Sequence, residues 1–259
     1  MGRGRGRIRR VMYRPGESLL HRLHPLAKLA WLVGGTALVF VVPTPWAVLG
    51  MLALIAAGFA LGKVTLRDLP GLRLFGFMAL MLLGLQLTFV RTGAVLLEVG
   101  PLRVTADGLA AGVYVAGRLL SVILLSYLFV LTTEPNDLAY ALMQVGLPYR
   151  YGFTLITAIR LVPLFEQEGQ TVYQAQLARG IAYDAGGPRR FLTLARQFFL
   201  PLLVSALGKV DALAVSMEGR CFGKYPRRTY LREVRFSWRD GAAVAVLVGV
   251  GVLFWRVRS

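Results

Sequence analysis

The sequence has few acidic residues, few histidines and a single cysteine. Asp and Glu number 13 against 30 Lys and Arg, so the formal net charge is +17, and only 17% of the 259 residues are charged. A typical soluble domain is about one-quarter charged. A lone cysteine, Cys221, excludes an intrachain disulfide and a cysteine-based metal site. His21 and His24 lie close together without a cysteine nearby, which disfavours a metal role for the pair.

Signatures of enzymes are also missing from the sequence. There is no GxxxxGK[ST] pattern for nucleotide phosphates, no GxSxG and no HExxH. Glu166 and Glu168 could serve acid–base chemistry as a pair, but no His, Ser or metal constellation stands near them. We place them in the first turn of a helix predicted at residues 164–178, where acids stabilise the positive end of the helix dipole.

Apolar residues are in excess: they make up 56% of the chain, and the mean hydropathy is +0.59. Nucleic-acid binding, the usual alternative for such positive charge, does not explain this excess. The apolar runs occupy residues 26–42, 46–61, 72–90, 109–131 and 241–255. The last run reaches only about 22 Å as a helix, against about 30 Å of hydrocarbon, and flanking Trp238, Trp255 and Arg256 extend it by anchoring and snorkelling.

The runs predict an all-α membrane protein with about five transmembrane helices. A cytoplasmic domain of two or three amphipathic helices is inserted before the last span. The predicted division is a basic cytoplasmic N-terminal segment, transmembrane helices 1–4, the cytoplasmic helical domain, and a last transmembrane helix with its tail. These four parts correspond to residues 1–25, 26–131, 132–240 and 241–259.

The distribution of positive charge predicts the orientation. Residues 1–14 hold six Arg and no acid, and we expect this tail to anchor on anionic head groups inside the cell. Residues 179–239 hold twelve bases and four acids, which also favours the cytoplasm. Five spans would leave the C-terminus outside, although it ends Arg256-Val257-Arg258. Either that short tail is tolerated outside, or another segment of the middle region enters the membrane.

Two predicted helices of the middle region end alike. The helix at 164–178 stops at Ala178-Arg179-Gly180, and a second, at 191–220, stops at Gly219-Arg220-Cys221. An Arg in a last turn commonly just complements the helix dipole. Two small–Arg–small endings together favour contacts with a partner, because guanidinium makes planar, multidentate contacts and small neighbours permit close approach.

The second of these helices carries an apolar stripe at helical spacing. Its members are Ala195, Phe199, Leu203, Ala206, Val210, Leu213 and Met217. Around it, residues 198–208 are apolar nearly all round. We judge that stretch too short to span a membrane, so the bilayer surface or another protein should cover it.

Several motifs resemble the transmembrane T component of energy-coupling factor (ECF) transporters, the EcfT/CbiQ/BioN family. Residues 24–28 read HPLAK, like the family's start, and parts of residues 105–163 resemble its central block. Residues 174–180 read QAQLARG and residues 217–223 read MEGRCFG, like the family's two most specific elements. Gly219 and Cys221 depart from the usual Ala and Gly, although both are small.

The resemblance implies a non-catalytic coupling subunit in a prokaryotic inner membrane. Two ABC-type ATPases would dock on Arg179 and Arg220, with Ala178, Gly180, Gly219 and Cys221 as flanks. A small substrate-binding S component would move a vitamin or transition-metal ion inward. The chain itself would bind no cofactor, since ATP and Mg belong to the ATPases. The apolar stripe would pack against the S component or against the other coupling helix, and the pattern does not choose between them.

Two other functions were weighed against this one. An intramembrane enzyme, such as a lipid-head-group transferase, could bind phosphate with Arg179 and Arg220, but no DxxDG-type acidic cluster accompanies them. A secondary carrier would show internal repeats and broken apolar helices, and neither is seen. Arg118 and Gln86 lie inside apolar runs, where we favour a structural role in tying spans together.

Overall fold

A computed structural model describes residues 18, 20–41, 44–62, 71–90, 92–99, 102–181, 188–225 and 236–258. The chain divides into two compact units, Met1–Val145 with Val234–Ser259, and Gly146–Glu233. The Arg-rich tail of residues 1–14 and most of the basic loop before the third apolar run lie outside the described residues. The predicted sidedness of each segment therefore stays a prediction.

The described elements are, in chain order, α1 (Pro25–Val41), α2 (Pro45–Gly62), α3 (Leu72–Phe89), β1 (Val95–Val99), β2 (Leu102–Thr105), α4 (Ala106–Thr132), α5 (Pro135–Gln144), α6 (Tyr149–Ala178), α7 (Pro188–Gly219) and α8 (Trp238–Arg258). The first unit holds α1–α5 and α8, and the second holds α6 and α7. The apolar runs become α1, α2, α3, α4 and α8, each within a few residues of its expected bounds. The prediction of an all-α membrane protein is confirmed, apart from one small hairpin.

That hairpin was missed by the sequence analysis. Strands β1 and β2 pair antiparallel, with Val99 opposite Leu102. The signal was present, since two short runs rich in Val and Leu flank Gly100 and Pro101 in the sequence. Thr105 ends β2 and begins α4: its hydroxyl accepts from the Gly108 N–H at 3.1 Å and donates to the Val90 carbonyl at 2.9 Å.

The core of the first unit lies between α1, α2 and α4. Met51, Ile55 and Phe59 of α2 pack with Leu125 and other apolar residues. Helices α2 and α4 approach closely at Gly117, where an added Cβ would stand 2.6 Å from a methyl group of Val48. Small residues at such crossings are typical of helix packing in membranes, where close van der Waals contact replaces the hydrophobic effect.

The start of α1 is stabilised by a proline and by two polar side chains. Pro25 occupies its first position, where a missing N–H costs nothing. The Nδ1 atom of His24 accepts from the Leu26 N–H at 3.2 Å, and the His24 N–H donates to Asp240 Oδ1 at 2.6 Å. The other carboxylate oxygen of Asp240 accepts from the Ser237 N–H at 2.7 Å, which is one of the two bonds of a capping box at the start of α8. Asp240, only 1% exposed, therefore holds two helix starts together.

Lys28 ties the same region to the end of α4. Its buried ammonium donates to the Thr132 carbonyl at 2.7 Å and to the His21 carbonyl at 3.3 Å. The Thr132 carbonyl is in the last turn of α4, where the helix offers no N–H of its own. The HPLAK motif thus acts as a joint: His24 meets α8 and Lys28 meets α4.

Arg118 has the structural role that we favoured. Its guanidinium lies 4.4 Å from the ring centroid of Tyr114 and 4.6 Å from that of Phe40. It also donates to the Tyr114 hydroxyl and, at 3.5 Å, to the Phe40 carbonyl. Since Phe40 belongs to α1, this cation links two apolar helices through aromatic faces and hydrogen bonds.

In the second unit, α6 begins earlier than predicted. It starts at Tyr149 rather than near residue 164 and passes through Pro163 without a break. The prediction that Glu166 and Glu168 lie in a first turn was therefore wrong, since both are in the helix interior. Helix α7 likewise continues through Pro201, although proline usually bends or interrupts a helix. Packing of the two long helices outweighs the hydrogen bond that each proline removes.

Four helical segments in the described residues are long and apolar enough to cross a membrane: Pro45–Gly62, Leu72–Phe89, Ala106–Thr132 and Leu194–Gly219. The last belongs to α7. Our argument that its apolar part is too short to span was wrong as a statement about length, because Lys209 and Asp211 can be included in an 18-residue window without losing the apolar character. Helix α1, with 17 residues, is a shorter apolar helix.

Removing the Asp240 carboxylate tests the joint of the first unit. Asp240→Ala leaves the His24 and Ser237 N–H groups without their acceptor, and we expect a loss of about 3 kcal/mol in the free energy of unfolding. Asp240→Asn, which keeps one acceptor oxygen, should lose less. The measurement is thermal unfolding of the detergent-solubilised chain. Asp211→Ala, at an exposed carboxylate, is the control, and equal effects of the two alanine variants would contradict the account.

Candidate functional site

The end of α6 is closed by a Schellman motif. The Ile181 N–H donates to the Gln176 carbonyl at 3.1 Å, and the Gly180 N–H donates to the Leu177 carbonyl at 2.9 Å. Gly180 has φ +81°, the left-handed conformation that this motif requires. Arg179 is the cap residue just before it. The sequence prediction that this helix stops at Ala178-Arg179-Gly180 is confirmed.

The end of α7 repeats the same motif, position for position. The Phe222 N–H donates to the Met217 carbonyl at 3.0 Å, and the Cys221 N–H donates to the Glu218 carbonyl at 2.9 Å. Cys221 takes the place of Gly180, with φ +53°, and within the described residues it is the one non-glycine with positive φ. Arg220 therefore has the same place in its motif as Arg179.

Both endings present their side chains to the outside of the second unit. Six residues expected to dock a partner are exposed: Ala178, Arg179, Gly180, Gly219, Arg220 and Cys221. Within their motifs the backbone N–H groups are satisfied by the helix itself, so the turn needs no partner to hold its shape. Each arginine thus projects from a rigid end with small residues on either side, as multidentate contact with carboxylates or carbonyls requires.

The two endings lie at opposite ends of one helical hairpin. Gln176 Nε2 donates to the Gln197 carbonyl at 2.9 Å, while Phe222 lies 4.5 Å from Phe153, measured between ring centroids. Helices α6 and α7 are therefore antiparallel, with Arg179 level with the early part of α7. At 1.5 Å per residue, Arg179 and Arg220 are separated by about 40 Å along the hairpin.

An aromatic cluster supports the Arg220 ending. Phe222, two residues after the arginine, packs against Phe153 and against Tyr149, whose ring centroid is 5.8 Å away. Tyr149 and Phe153 also stack on each other at 5.9 Å. The first turns of α6 thereby fix the turn that follows α7. The sequence alone does not predict this cluster, because its two halves are about seventy residues apart in the chain.

A polar crossing joins the middle of the hairpin. Lys209 Nζ lies 2.8 Å from Glu168 Oε2, and the Ser205 hydroxyl donates to Glu168 Oε1 at 2.6 Å. The hydrogen bonds from Lys209 and from Ser205 hold the pKa of Glu168 below its usual value. The carboxylate is therefore ionised at neutral pH, and the pair is one of opposite charges.

The apolar stripe of α7 is divided between two surroundings. Ala195, Ala206, Leu213 and Met217 are partly buried, whereas Phe199 is 63%, Leu203 58% and Val210 49% exposed. The partly buried side of α7 contacts α6. It includes Phe198, Ser205 and Lys209. The exposed side adds Leu192, Leu200, Val204 and Leu207 to an apolar surface along the helix.

Within the described ranges, no group of three or more His, Cys, Asp and Glu could hold a metal ion. His21 instead lies 2.6 Å from the Ser18 hydroxyl through its Nδ1 atom, and His24 caps α1. The site is thus a pair of exposed cationic helix ends and an apolar helix face, which suits binding of other proteins.

Comparison with known proteins agrees with these features. The sequence matches the family described as "CbiQ: Cobalt transport protein" over residues 16–231. It is 31% identical to the energy-coupling factor transporter transmembrane protein EcfT of Leuconostoc gelidum subsp. gasicomitatum, over 95% of each chain. The chain belongs to the CbiQ/EcfT family. The EcfT proteins of Exiguobacterium sibiricum, at 30% identity, and Bacillus subtilis, at 26%, are covered over 97% of their length.

Membership in the CbiQ/EcfT family makes the chain a multi-pass membrane component of an energy-coupling factor transporter. The alignment reaches from before α1 to beyond the Arg220 ending, so both units belong to the family. The relatives are named as transmembrane proteins of a transporter, in line with the coarse function expected from the sequence.

Substitutions at Gly180 and Cys221, the two residues with positive φ in the Schellman motifs, test how α6 and α7 end. Cys221→Gly should stabilise the end of α7 by about 1 kcal/mol, because a side chain in this conformation is strained. Gly180→Cys should destabilise the end of α6 by a similar amount. Amide hydrogen exchange of residues 181 and 222 reports the Schellman bonds directly. Slower exchange at 181 in Gly180→Cys, or faster exchange at 222 in Cys221→Gly, would contradict the assignment.

Proposed function

We propose that this chain is the energy-coupling subunit of an ECF-type importer. It links ATP hydrolysis by two cytoplasmic ABC-type ATPases to the movement of a substrate-binding S component in the membrane. The observation that carries the proposal is the repetition of one exposed small–Arg–small helix end at both ends of a single hairpin. Two equivalent endings suit two equivalent partners.

The spacing of the endings supports docking to separate ATPase subunits. About 40 Å lies between the two arginines, which is comparable to the width of a protein domain. Each ending is rigid without a partner, so docking would cost little conformational entropy. An Arg with small flanks can enter a groove and pair with carboxylates or carbonyls there.

The chain takes no part in catalysis under this proposal. ATP and Mg²⁺ are bound by the ATPases, and this chain carries neither a phosphate-binding loop in its sequence nor, in its described residues, a metal-holding cluster. Its contribution is mechanical: a displacement of either helix end is carried along the hairpin. We assign the hairpin to the cytoplasmic side, because the positive-inside rule favours the cytoplasm for its arginine-bearing ends.

The exposed side of α7 is assigned to the S component. Phe199, Leu203 and Val210 leave an apolar surface uncovered by α6, while the partly buried members of the stripe pack within the hairpin. Under this proposal, the stripe packs partly against α6 and partly against the S component. The transported solute is a vitamin or a transition-metal ion, chosen by the S component.

Charge reversal at the two arginines tests ATPase docking. The double variant Arg179→Glu/Arg220→Glu should no longer co-purify with the two ATPases and should lose the ATP turnover of the assembled complex, because repulsion replaces the guanidinium contacts. Each single reversal should retain one docked ATPase. The control is Arg196→Glu, at an exposed arginine near the start of α7. Normal assembly of the double variant would overturn the proposal.

A charge on the exposed side of α7 tests the contact with the S component. Leu203→Glu should lower the amount of co-purified S component roughly tenfold, since an unpaired charge would be buried in an apolar interface. The ATPases should remain bound at their normal level. Ala212→Glu, at an exposed residue on the opposite side of α7 from Leu203, is the control. Equal retention of the S component by both variants would refute this assignment.

A further inference from the structure

We propose that the Glu168–Lys209 pair, with Ser205, is a pivot that fixes the register of α6 against α7 and so positions the two arginine endings relative to each other. This inference rests on the proposed function. It concerns three residues that the family motifs quoted above do not include. They touch no docking partner under the proposal, so their role is that of positioning residues.

The contacts at the crossing are specific in geometry. Glu168 uses both carboxylate oxygens, one for the Ser205 hydroxyl at 2.6 Å and one for the Lys209 ammonium at 2.8 Å. Ser205 and Lys209 are one helical turn apart on α7, so a single side chain of α6 is held at two points. A slide of one helix by a turn would break both bonds at once, whereas apolar side chains at this crossing could repack.

The crossing has the same place in both helices, counted from the arginines. Glu168 precedes Arg179 by eleven residues, and Lys209 precedes Arg220 by eleven residues. Eleven residues correspond to three turns and about 16 Å. Because the helices are antiparallel, the pair lies between the two endings. A contact at this point couples the position of one ending to that of the other.

Other contacts of the hairpin differ in kind from this charged crossing. Phe198 lies over Gly169, where an added Cβ would meet the ring at 3.4 Å, and Gln176 donates an uncharged hydrogen bond to the Gln197 carbonyl. Dispersion contacts hold the two helices close together but allow one helix to slide along the other. The Glu168–Lys209 pair, by contrast, can form in only one register of α6 against α7, because its charged hydrogen bonds depend on geometry. The side chains of Lys209 and Glu168 are only 32% and 26% exposed, which limits screening by solvent and salt.

Spin-label distances in the full chain test the pivot without any partner. One label goes on the native Cys221, the sole cysteine of the chain, and the other on a cysteine introduced at the exposed Gln170. The two sites are about 25 Å apart along the hairpin. The chain with Glu168 and Lys209 unaltered and the control Asp211→Asn should each give one narrow distribution of label-to-label distances. Glu168→Gln and Lys209→Met should broaden it.

The charge exchange Glu168→Lys/Lys209→Glu separates the pairing from simple damage to the fold. The exchange restores opposite charges at the crossing. The distance distribution should therefore become narrow again, which reverses the broadening seen in each single variant. Narrow distributions in both single variants would overturn the pivot. A broad distribution in the exchanged chain would also overturn it, because shape rather than pairing would then set the register.

The assembled complex provides a second readout. Glu168→Gln and Lys209→Met should co-purify with both ATPases at normal levels, yet lower ATP turnover roughly threefold, and the exchanged chain should recover it. Normal turnover in both single variants would overturn the pivot while leaving ATPase docking intact. Failure of the unaltered chain to bind the ATPases would instead overturn the proposed function, and the distance distributions would still decide whether the pair sets the register.

Discussion

Buried backbone groups at helix ends are the constraint on which the first unit depends. In a membrane, an N–H or carbonyl without a partner is costly, and each helix leaves several of them at its ends. Asp240 and Lys28 answer this need with opposite charges: the carboxylate accepts from the starts of α1 and α8, and the ammonium donates to the end of α4. The apolar packing of α2 and α4 then builds on helices whose ends are already joined.

In the second unit, the helix ends are exposed, and hydrogen bonds again satisfy their backbone groups. These ends are closed by backbone hydrogen bonds within the turn, and the arginine side chains stay outward. Packing along the hairpin connects the two endings through aromatic rings at one end and a charged pair at the middle. Rigid ends and a connected middle are what a subunit needs if it is to transmit movement between partners.

Local patterns in the sequence predicted much of this architecture. Apolar runs located α1 to α4 and α8, and glycine after arginine located the end of α6, because these signals depend on neighbouring residues alone. The start of α6 was misplaced, since Pro163 reads as a helix break and only the facing α7 shows why it is tolerated. Asp240 and Glu168 were not recognised as partners of His24 and Lys209, because each pair joins distant parts of the chain.

The bond between His24 and Asp240 also bears on biosynthesis. These residues are 216 positions apart, and the whole hairpin unit is translated between them. Helix α1 therefore enters the bilayer long before the carboxylate that completes its cap exists. Until α8 has been synthesised, the His24 N–H lacks its Asp240 acceptor, so the joint between α1 and α8 is a late step in the assembly of the first unit.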